Sequence, residues 1–390
     1  TSEARAMETL SLVTAQPSVL KKLLEVVAEN TALSEAGEEE EEEDGASSSR
    51  LSRMLGNAPD VPTLPTNRPG DPIAKEFASL NRLVAGEPGQ PTAIDPLLLA
   101  IDDLQSELDA TGGDALTVMK QGGGPAANRL RTEARRQPEP LKSWLTQLSG
   151  GSRALAATSA RSELTSRYSD SVLNECRRLI DGRYPFDRNS NSDVAIDDFG
   201  RVFGHGGIFD TFFNENLAAF VDRSGGQWRL KSGAGMRVSS AALQQFRKAE
   251  LIRESYFPGG GTKPEMRLTV VPNRLDPDVT RFVFEVDGQS FSYQHGPQRQ
   301  WSVVWPGEGL GSARIMFEEA SGGRPTVVED GPWALFRMLD DSVVTKVSDI
   351  QYAVALSAGG RTAEVIVQTR SVRSPMTQRD LHNFQCPSAL

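Results

Sequence analysis

The spacing of the apolar residues changes once along the chain, at the stretch FPGGGTKP, residues 257–264. Before it, apolar side chains recur every three or four residues, as in Leu20, Leu24 and Val27, which is the period of an amphipathic helix. After it, the run MRLTV at 266–270 alternates apolar and polar residues, which is the period of a half-buried strand. The sequence therefore predicts an α+β multidomain protein, with an N-terminal helical bundle followed by a C-terminal all-β, sandwich-like domain.

The β part, residues 259–390, contains seven or eight short alternating runs separated by turn residues. Asp287-Gly288 lies between two of them and indicates a hairpin, because glycine accepts the positive φ angle that a tight turn needs. One short helix, GPWALFRMLD at 331–340, interrupts the strands. Short strands at this spacing predict a β-sandwich domain that carries one short helix.

The helical part divides into four segments. Residues 1–34 predict a helical segment. Residues 35–72 predict a disordered linker, because the acidic run EEEEEED at 38–44 and the prolines that follow it leave too little apolar surface to bury. Residues 73–183 predict a helical bundle and residues 184–258 a helical subdomain, since amphipathic stretches there are joined by short loops.

Charge and hydropathy exclude two classes of protein. The chain has 52 acidic and 42 basic residues, and without the seven acidic residues at 38–44 the balance is 45 against 42. Nucleic-acid binding needs a concentrated basic surface, and the sequence has none, so we expect no nucleic-acid partner. The longest apolar run, PLLLAI at 96–101, is far shorter than the ~20 residues that span a bilayer, and we expect the chain itself to be soluble.

The stretch FGHGG, residues 203–207, raises the question of an active site. A His-Gly-Gly run occurs in the oxyanion loop of some lipases, and glycine-rich loops also cradle phosphates. The chain has no Gly-x-Ser-x-Gly sequence for a nucleophile and no Gly-Lys pair for a phosphate loop. We therefore interpret FGHGG as a turn between two helices, with Asp210 near the start of the second helix.

The histidines and cysteines do not form a metal-binding pattern. His205, His295 and His382 are about 90 residues apart, and there is no Cys-x-x-Cys pair. The sequence therefore predicts no metal, no cofactor and no catalytic residue. The two cysteines, Cys176 and Cys386, allow one disulfide, two buried thiols or one of each.

Two groups of residues keep a glycan-binding or glycan-cleaving protein open as an alternative. Neighbouring carboxylates form acid–base pairs in glycosidases, and aromatic side chains on strands stack on sugars. The carboxylate pairs are Asp197-Asp198 and Asp340-Asp341. The aromatic candidates are Tyr293, Trp301 and Trp305.

Several ordered stretches resemble one known family. They include RYPFDRNSNSD and FGRVFGHGGIFDTFF within residues 176–222, LQQFRKAELIRESYF at 243–257, and VDGQSFSYQHGPQRQWSVVWPG at 286–307. GPWALFRMLD at 331–340 and the closing FQCPSAL at 384–390 complete the set. Together they resemble the C-terminal periplasmic region of the TssM/IcmF inner-membrane proteins of type VI secretion systems. The resemblance is specific from about residue 176 to residue 390.

The resemblance implies a structural, non-enzymatic function. Members of the family are anchored in the inner membrane by upstream helices, and their C-terminal β domain binds the outer-membrane lipoprotein TssJ. With the inner-membrane protein TssL they assemble into a multimeric complex that spans the envelope. The family usually has proline where this chain has His205, which argues against a catalytic role for that imidazole.

The resemblance also implies which residues are structurally important. The motif residues are Tyr184, Pro185, Phe186, Gly204, Gly206, Gly207, Asp210, Phe213, Gly331, Pro332 and Trp333. A periplasmic location is oxidising, so a disulfide between Cys176 and Cys386 is one hypothesis, and two separate buried thiols are the other. The resemblance does not indicate which residues contact a partner.

Overall fold

The structure is a computed structural model, and it describes residues 11–13, 15, 17–32, 70–87, 90–122, 124–309, 311–370, 376 and 379–390. The chain divides into two compact units, Thr1–Ala160 and Arg161–Leu390. No helix among the described residues is both long and apolar enough to cross a membrane.

The first unit is helical. Its helices are α1 (Val19–Thr31), α2 (Asp71–Val84), α3 (Asp95–Lys120), α4 (Pro125–Ala134) and α5 (Leu141–Tyr168), the last of which continues into the second unit. Ser18 caps α1 by accepting a hydrogen bond from the backbone N–H of Lys21 at 3.3 Å. Proline lies in the first turn of α2, α3 and α4, where its missing N–H costs nothing. Leu97, Ile101 and Leu130 are buried in the shared core.

The predicted linker 35–72 lies outside the described residues as far as residue 69. Its last two residues, Asp71 and Pro72, form the first turn of α2. Both residues suit a helix start. The negative charge of Asp71 interacts favourably with the helix dipole, and Pro72 has no N–H group that would be left without a partner.

The second unit begins with a helical subdomain. After α5 come a π-helical turn (Ser169–Leu173), α6 (Asn174–Ile180), α7 (Ile196–Phe203), α8 (Ile208–Phe212), a second π-helical turn (Phe213–Leu217) and α9 (Ser240–Tyr256). A small hairpin of β1 (Val221–Asp222) and β2 (Arg229–Leu230) lies between the second π-helical turn and α9. The sequence did not indicate this hairpin, because two-residue strands are too short to show a period.

The rest of the second unit is a two-sheet antiparallel sandwich. Its strands are β3 (Met266–Leu275), β4 (Val279–Val286), β5 (Gln289–Tyr293), β6 (Trp301–Trp305), β7 (Ser312–Glu319), β8 (Thr326–Asp330), β9 (Val343–Lys346), β10 (Gln351–Ala358) and β11 (Arg361–Thr369). One sheet has the order β6-β3-β11-β10-β9 and the other β5-β4-β7-β8. Helix α10 (Ala334–Asp340) follows β8, and α11 (Arg379–His382) follows β11.

The sandwich follows the predicted alternation. Asp287 and Gly288, at φ 47° and 78°, form the turn between β4 and β5, which pair from Phe282–Tyr293 to Val286–Gln289. The α+β fold class, with helices first and a sandwich-like domain last, is confirmed. The division between the units falls within α5, and the predicted segment boundaries at 183/184 and 258/259 both lie inside the second unit.

Candidate protein-interaction site

Most of the motif residues meet where the helical subdomain packs on the sandwich. Trp333, fully buried, lies in the turn between β8 and α10 after Gly331 and Pro332. Its indole Nε1 donates to the Val194 carbonyl at 2.8 Å, and its ring lies 5.0 Å from Phe199 of α7. The helical subdomain and the sandwich therefore share one hydrophobic core.

A polar layer borders this core. The Tyr184 hydroxyl donates to Asp340 Oδ2 at 3.0 Å, and Arg337 stacks on the Tyr184 ring while it forms an ion pair with Asp193. His382 Nδ1 contacts the Pro185 carbonyl at 2.8 Å, and Nε2 lies 3.2 Å from Asp340 Oδ2.

His382 contacts an acceptor through each ring nitrogen, and only the imidazolium carries two N–H donors. The hydrogen bond to Asp340 therefore raises the pKa of His382. The His382 ring joins α11 to the end of α10 and to the loop that carries Pro185.

FGHGG is a turn between α7 and α8. A Cβ at Gly204 would lie 2.8 Å from Thr262 Cα, so glycine is required for the close approach of the loop after α9. Gly206 adopts φ +72°, and its N–H donates to Asp210 Oδ2 at 2.9 Å. The His205 ring contacts the Phe257 carbonyl at 3.3 Å. This stretch therefore supports the packing of two segments and holds no reactive pair.

The remaining motif residues pack nearby. Asp210 also forms an ion pair of 2.6 Å with Arg253 of α9. Phe213 lies 4.6 Å from the Trp228 ring, and Gly207 caps the start of α8. These contacts join α8 to α9 and to the small hairpin.

The C-terminal tail binds back onto the helical subdomain. A disulfide joins Cys386 to Cys176 of α6, with the Cα atoms 5.9 Å apart. Phe384, 2% exposed, lies 4.9 Å from the Phe203 ring, and the Tyr168 hydroxyl donates to the Pro387 carbonyl at 2.5 Å. Of the two hypotheses for the cysteines, the structure contains the bridge.

One side of the sandwich presents aromatic side chains to solvent. We call this side, formed by β5, β6 and the loop 294–300, the aromatic edge. Trp301 stacks on Phe291 with ring centroids 5.5 Å apart, and both rings are partly exposed. Tyr293 is also partly exposed, and every residue of the loop is exposed. Residues 289–307 contain no acidic side chain and one arginine, Arg299.

The aromatic edge is ordered by two polar contacts. The Gln289 side chain donates to the Val304 carbonyl at 2.7 Å and accepts from the Val304 N–H at 3.0 Å, which caps the free backbone of β6. The His295 ring contacts the Val279 carbonyl at 2.7 Å and holds the loop against β4. Rigid, partly exposed aromatic residues are typical of the anchor residues of protein interfaces.

The residues that suggested a glycan site do not assemble into one. Trp305 is 1% exposed and its indole N–H donates to the Pro332 carbonyl, so it does not join Trp301 in an exposed platform. Asp340 bonds Tyr184 and His382, and Asp197 and Asp198 lie in the first turn of α7. No group of three or more potential metal ligands occurs among the described residues.

Two of these contacts, one where the helical subdomain packs on the sandwich and one at the aromatic edge, had no signal in the sequence. Arg337 pairs with Asp193 across 144 positions, and Gln289 caps β6 across 15. Pairings between distant polar residues leave no period in a single sequence. The hairpin signal at Asp287-Gly288 indicates that Gln289 begins a strand, but it does not identify Val304 as the residue that Gln289 contacts.

Comparison with known families identifies both parts of the second unit. Residues 159–262 match the type VI secretion protein IcmF helical domain, and residues 268–371 match the type VI secretion protein IcmF C2-like domain. Together the two matches cover more than half of the chain.

A curated relative and three solved structures agree with these matches. The type VI secretion system component TssM1 of Pseudomonas aeruginosa is 30% identical over 410 residues, and the chain spans 37% of its length. A structure of a type VI secretion system membrane core complex covers 81% of this chain, and this chain covers 70% of it, at a TM-score of 0.67 and 18% identity. A structure of a type VI membrane complex covers 98% of this chain, and this chain covers 73% of it, at a TM-score of 0.67 and 16% identity. The structure of the TssM C-terminal domain from EAEC covers 59% of this chain, and this chain covers 98% of it, at a TM-score of 0.53 and 20% identity.

Proposed function

The chain belongs to the IcmF family of type VI secretion proteins, and on this premise we propose that it is a non-enzymatic, periplasm-spanning part of the secretion membrane complex whose C-terminal sandwich binds a TssJ-type outer-membrane lipoprotein. The relationship to TssM1 and to solved membrane complexes makes it a structural component of the secretion system. The lipoprotein, the periplasmic location and the absence of catalysis are the proposal.

The aromatic edge is the observation that carries the proposal. Trp301, Phe291 and Tyr293 are partly exposed on the edge strands β5 and β6, and β6 also contributes the buried Val303 and Trp305 to the core. Binding energy in protein interfaces concentrates on such aromatic anchors, which lose little side-chain entropy. The loop between them adds Arg299 and no acidic residue, so a partner surface of neutral or acidic character fits it.

The disulfide supports the periplasmic location. Disulfides persist in oxidising compartments such as the bacterial periplasm and are rare in the cytosol. The bond between Cys176 and Cys386 joins the tail to the helical subdomain, so it would be lost in a reducing compartment. We propose in addition that the complex contains a TssL-type inner-membrane protein and several copies of this chain, as expected for a membrane complex of this family.

The proposal is tested by binding of the chain to its cognate lipoprotein, measured by biolayer interferometry. We expect Trp301→Ala to weaken binding at least 30-fold, because loss of an anchor costs about 2 kcal/mol or more. Arg299→Glu, in an exposed loop, changes the same surface without touching the core and should weaken binding as well.

Two matched substitutions serve as controls. Trp144→Ala removes a tryptophan that is 51% exposed in the first unit, and Lys263→Glu reverses an exposed charge away from the aromatic edge. Both variants should bind as the unchanged chain does. Equal binding by all four variants would show that the lipoprotein binds at a surface other than the aromatic edge. If the unchanged chain does not bind the lipoprotein, the proposal is contradicted.

A further inference from the structure

The side of the sandwich opposite the aromatic edge is differently built. We call this side, formed by β8, α10 and β9, the open edge. Strands β8 and β9 each end their sheet, and α10 packs against β7, β8 and β9. Within the described part of the chain, no side chain caps β9 as Gln289 caps β6.

Among the described residues, part of the β9 backbone has no pairing partner. The Val347 N–H donates to the Gln351 carbonyl at 2.9 Å, and β9 pairs with β10 in the same register. Because hydrogen-bonded and non-hydrogen-bonded pairs alternate in antiparallel strands, the N–H and C=O groups of Val344 and Lys346 point away from the sheet. An edge of this kind is a template for a further strand.

Most exposed side chains of the open edge are apolar or acidic, and its basic residues Lys346 and Arg337 already pair with Asp349 and Asp193. Val343, Val347 and Val328 are 69%, 56% and 51% exposed, although valine is usually buried. The acidic residues are Glu329, Asp330 and Asp341, and none of the three forms a salt bridge with another described residue.

The acidic residues of the open edge repel one another. Burial and the nearby charges of Asp341 and Asp330 raise the pKa of Glu329, and the positive charge of Arg337, which is itself paired with Asp193, only partly opposes this rise. A cation placed here would relieve this repulsion. The charge of the open edge therefore complements a basic ligand.

We propose that the open edge is a docking site for an extended basic segment of a partner protein, which pairs with β9 as an added strand. Main-chain hydrogen bonds to Val344 and Lys346 would provide affinity. The exposed valines would contact alternate apolar side chains of the segment, and Asp330 and Asp341 would select for lysine or arginine. The proposal concerns a different surface from the aromatic edge and stands independently of lipoprotein binding.

The test uses the full chain and a fluorescently labelled synthetic peptide that alternates valine and lysine, with a valine–glutamate peptide as the control. Anisotropy measures binding, and hydrogen exchange detected by mass spectrometry measures protection of the segment that contains β9. We expect the lysine peptide to bind and to slow exchange in that segment. The glutamate peptide should bind at least tenfold more weakly.

Two substitutions at one position separate strand addition from charge attraction. Lys346→Pro removes an N–H that points away from the sheet, so the native β9–β10 pairing is retained. Lys346→Ala removes the side chain and keeps that N–H. Strand addition predicts loss of binding in the proline variant and retained binding in the alanine variant. Equal binding by both would overturn the proposal.

A double variant tests the contribution of the acidic side chains to binding. Asp330→Asn combined with Asp341→Asn changes two exposed residues and should weaken binding of the lysine peptide about tenfold. Unchanged affinity in this variant, or tighter binding of the glutamate peptide, would remove the basis for a basic partner.

Discussion

Replacing both Cys176 and Cys386 with alanine removes a cross-link that joins positions 210 residues apart. In the chain-entropy treatment, closing a loop of this length stabilises the folded state by about 5 kcal/mol, because the cross-link restricts the unfolded chain. The native tail keeps other contacts in the variant, including the buried Phe384 ring and the hydrogen bond from Tyr168 to Pro387. We therefore expect the variant to fold and to lose about 2 to 5 kcal/mol of unfolding free energy.

Urea unfolding followed by tryptophan fluorescence measures this loss. Four of the five tryptophans lie in Arg161–Leu390, so the signal reports mainly on the unit that contains the disulfide. The urea midpoint of the variant should fall. A reductant should lower the midpoint of the unchanged chain to that of the variant and leave the variant unaffected.

Two results would refute this reasoning. Equal urea midpoints for the variant and the unchanged chain would show that the cross-link does not stabilise the unit. Two free thiols in the denatured, unreduced chain would show that the cross-link is absent.

Three further predictions concern the junction between the helical subdomain and the sandwich. Gly204→Ala should cost about 1 to 3 kcal/mol in urea unfolding, because the added Cβ meets Thr262; an unchanged midpoint would contradict the close approach. Trp333→Ala should cost about 3 to 5 kcal/mol in the same assay, since it empties a fully buried site; a loss below about 1 kcal/mol would contradict a shared core. The raised pKa of His382 means that its bond to Asp340 stabilises fully below the unfolded pKa, near 6.5, and is lost as the pH rises through the folded value. His382→Gln should therefore lower Tm more at about pH 5.5 than at about pH 8.5, and the opposite order would refute a protonated ring.

The sandwich was predictable because its strands carry their own signal. The alternation in MRLTV and the Asp287-Gly288 turn depend on neighbouring residues, and the structure places both as expected. Strand β9 was missed because it has four residues, three of them exposed, so no alternation of buried and exposed positions marks it.

The contacts between the helical subdomain and the sandwich could not be predicted from the sequence in the same way. The resemblance to the IcmF family marked Tyr184 and Trp333, but not that Trp333 bonds Val194 or that Arg337 pairs with Asp193. Such contacts join residues more than 130 positions apart, and a single sequence carries no record of them. The two π-helical turns are likewise invisible to a period of 3.6 residues, because the wider i→i+5 turn departs from that period within the helix or at its end.

The aromatic candidates Trp301 and Trp305 do not form one exposed platform, for a physical reason. Trp301 and Trp305 lie four residues apart on one strand and therefore share a face. That face points inward, and only the end of the strand near Trp301 reaches the surface, so Trp305 is buried against Trp333. Alternation identifies which residues share a face, but not how far along the strand the core extends.

Site-specific photo-crosslinking in cells tests lipoprotein binding at the aromatic edge most directly. A photoreactive amino acid at Gln298, in the exposed loop of the aromatic edge, and a second at Val328, on the open edge, sample opposite sides of the sandwich. We expect an adduct with the cognate TssJ-type lipoprotein from position 298 and none from position 328. A lipoprotein adduct from position 328 alone would contradict it.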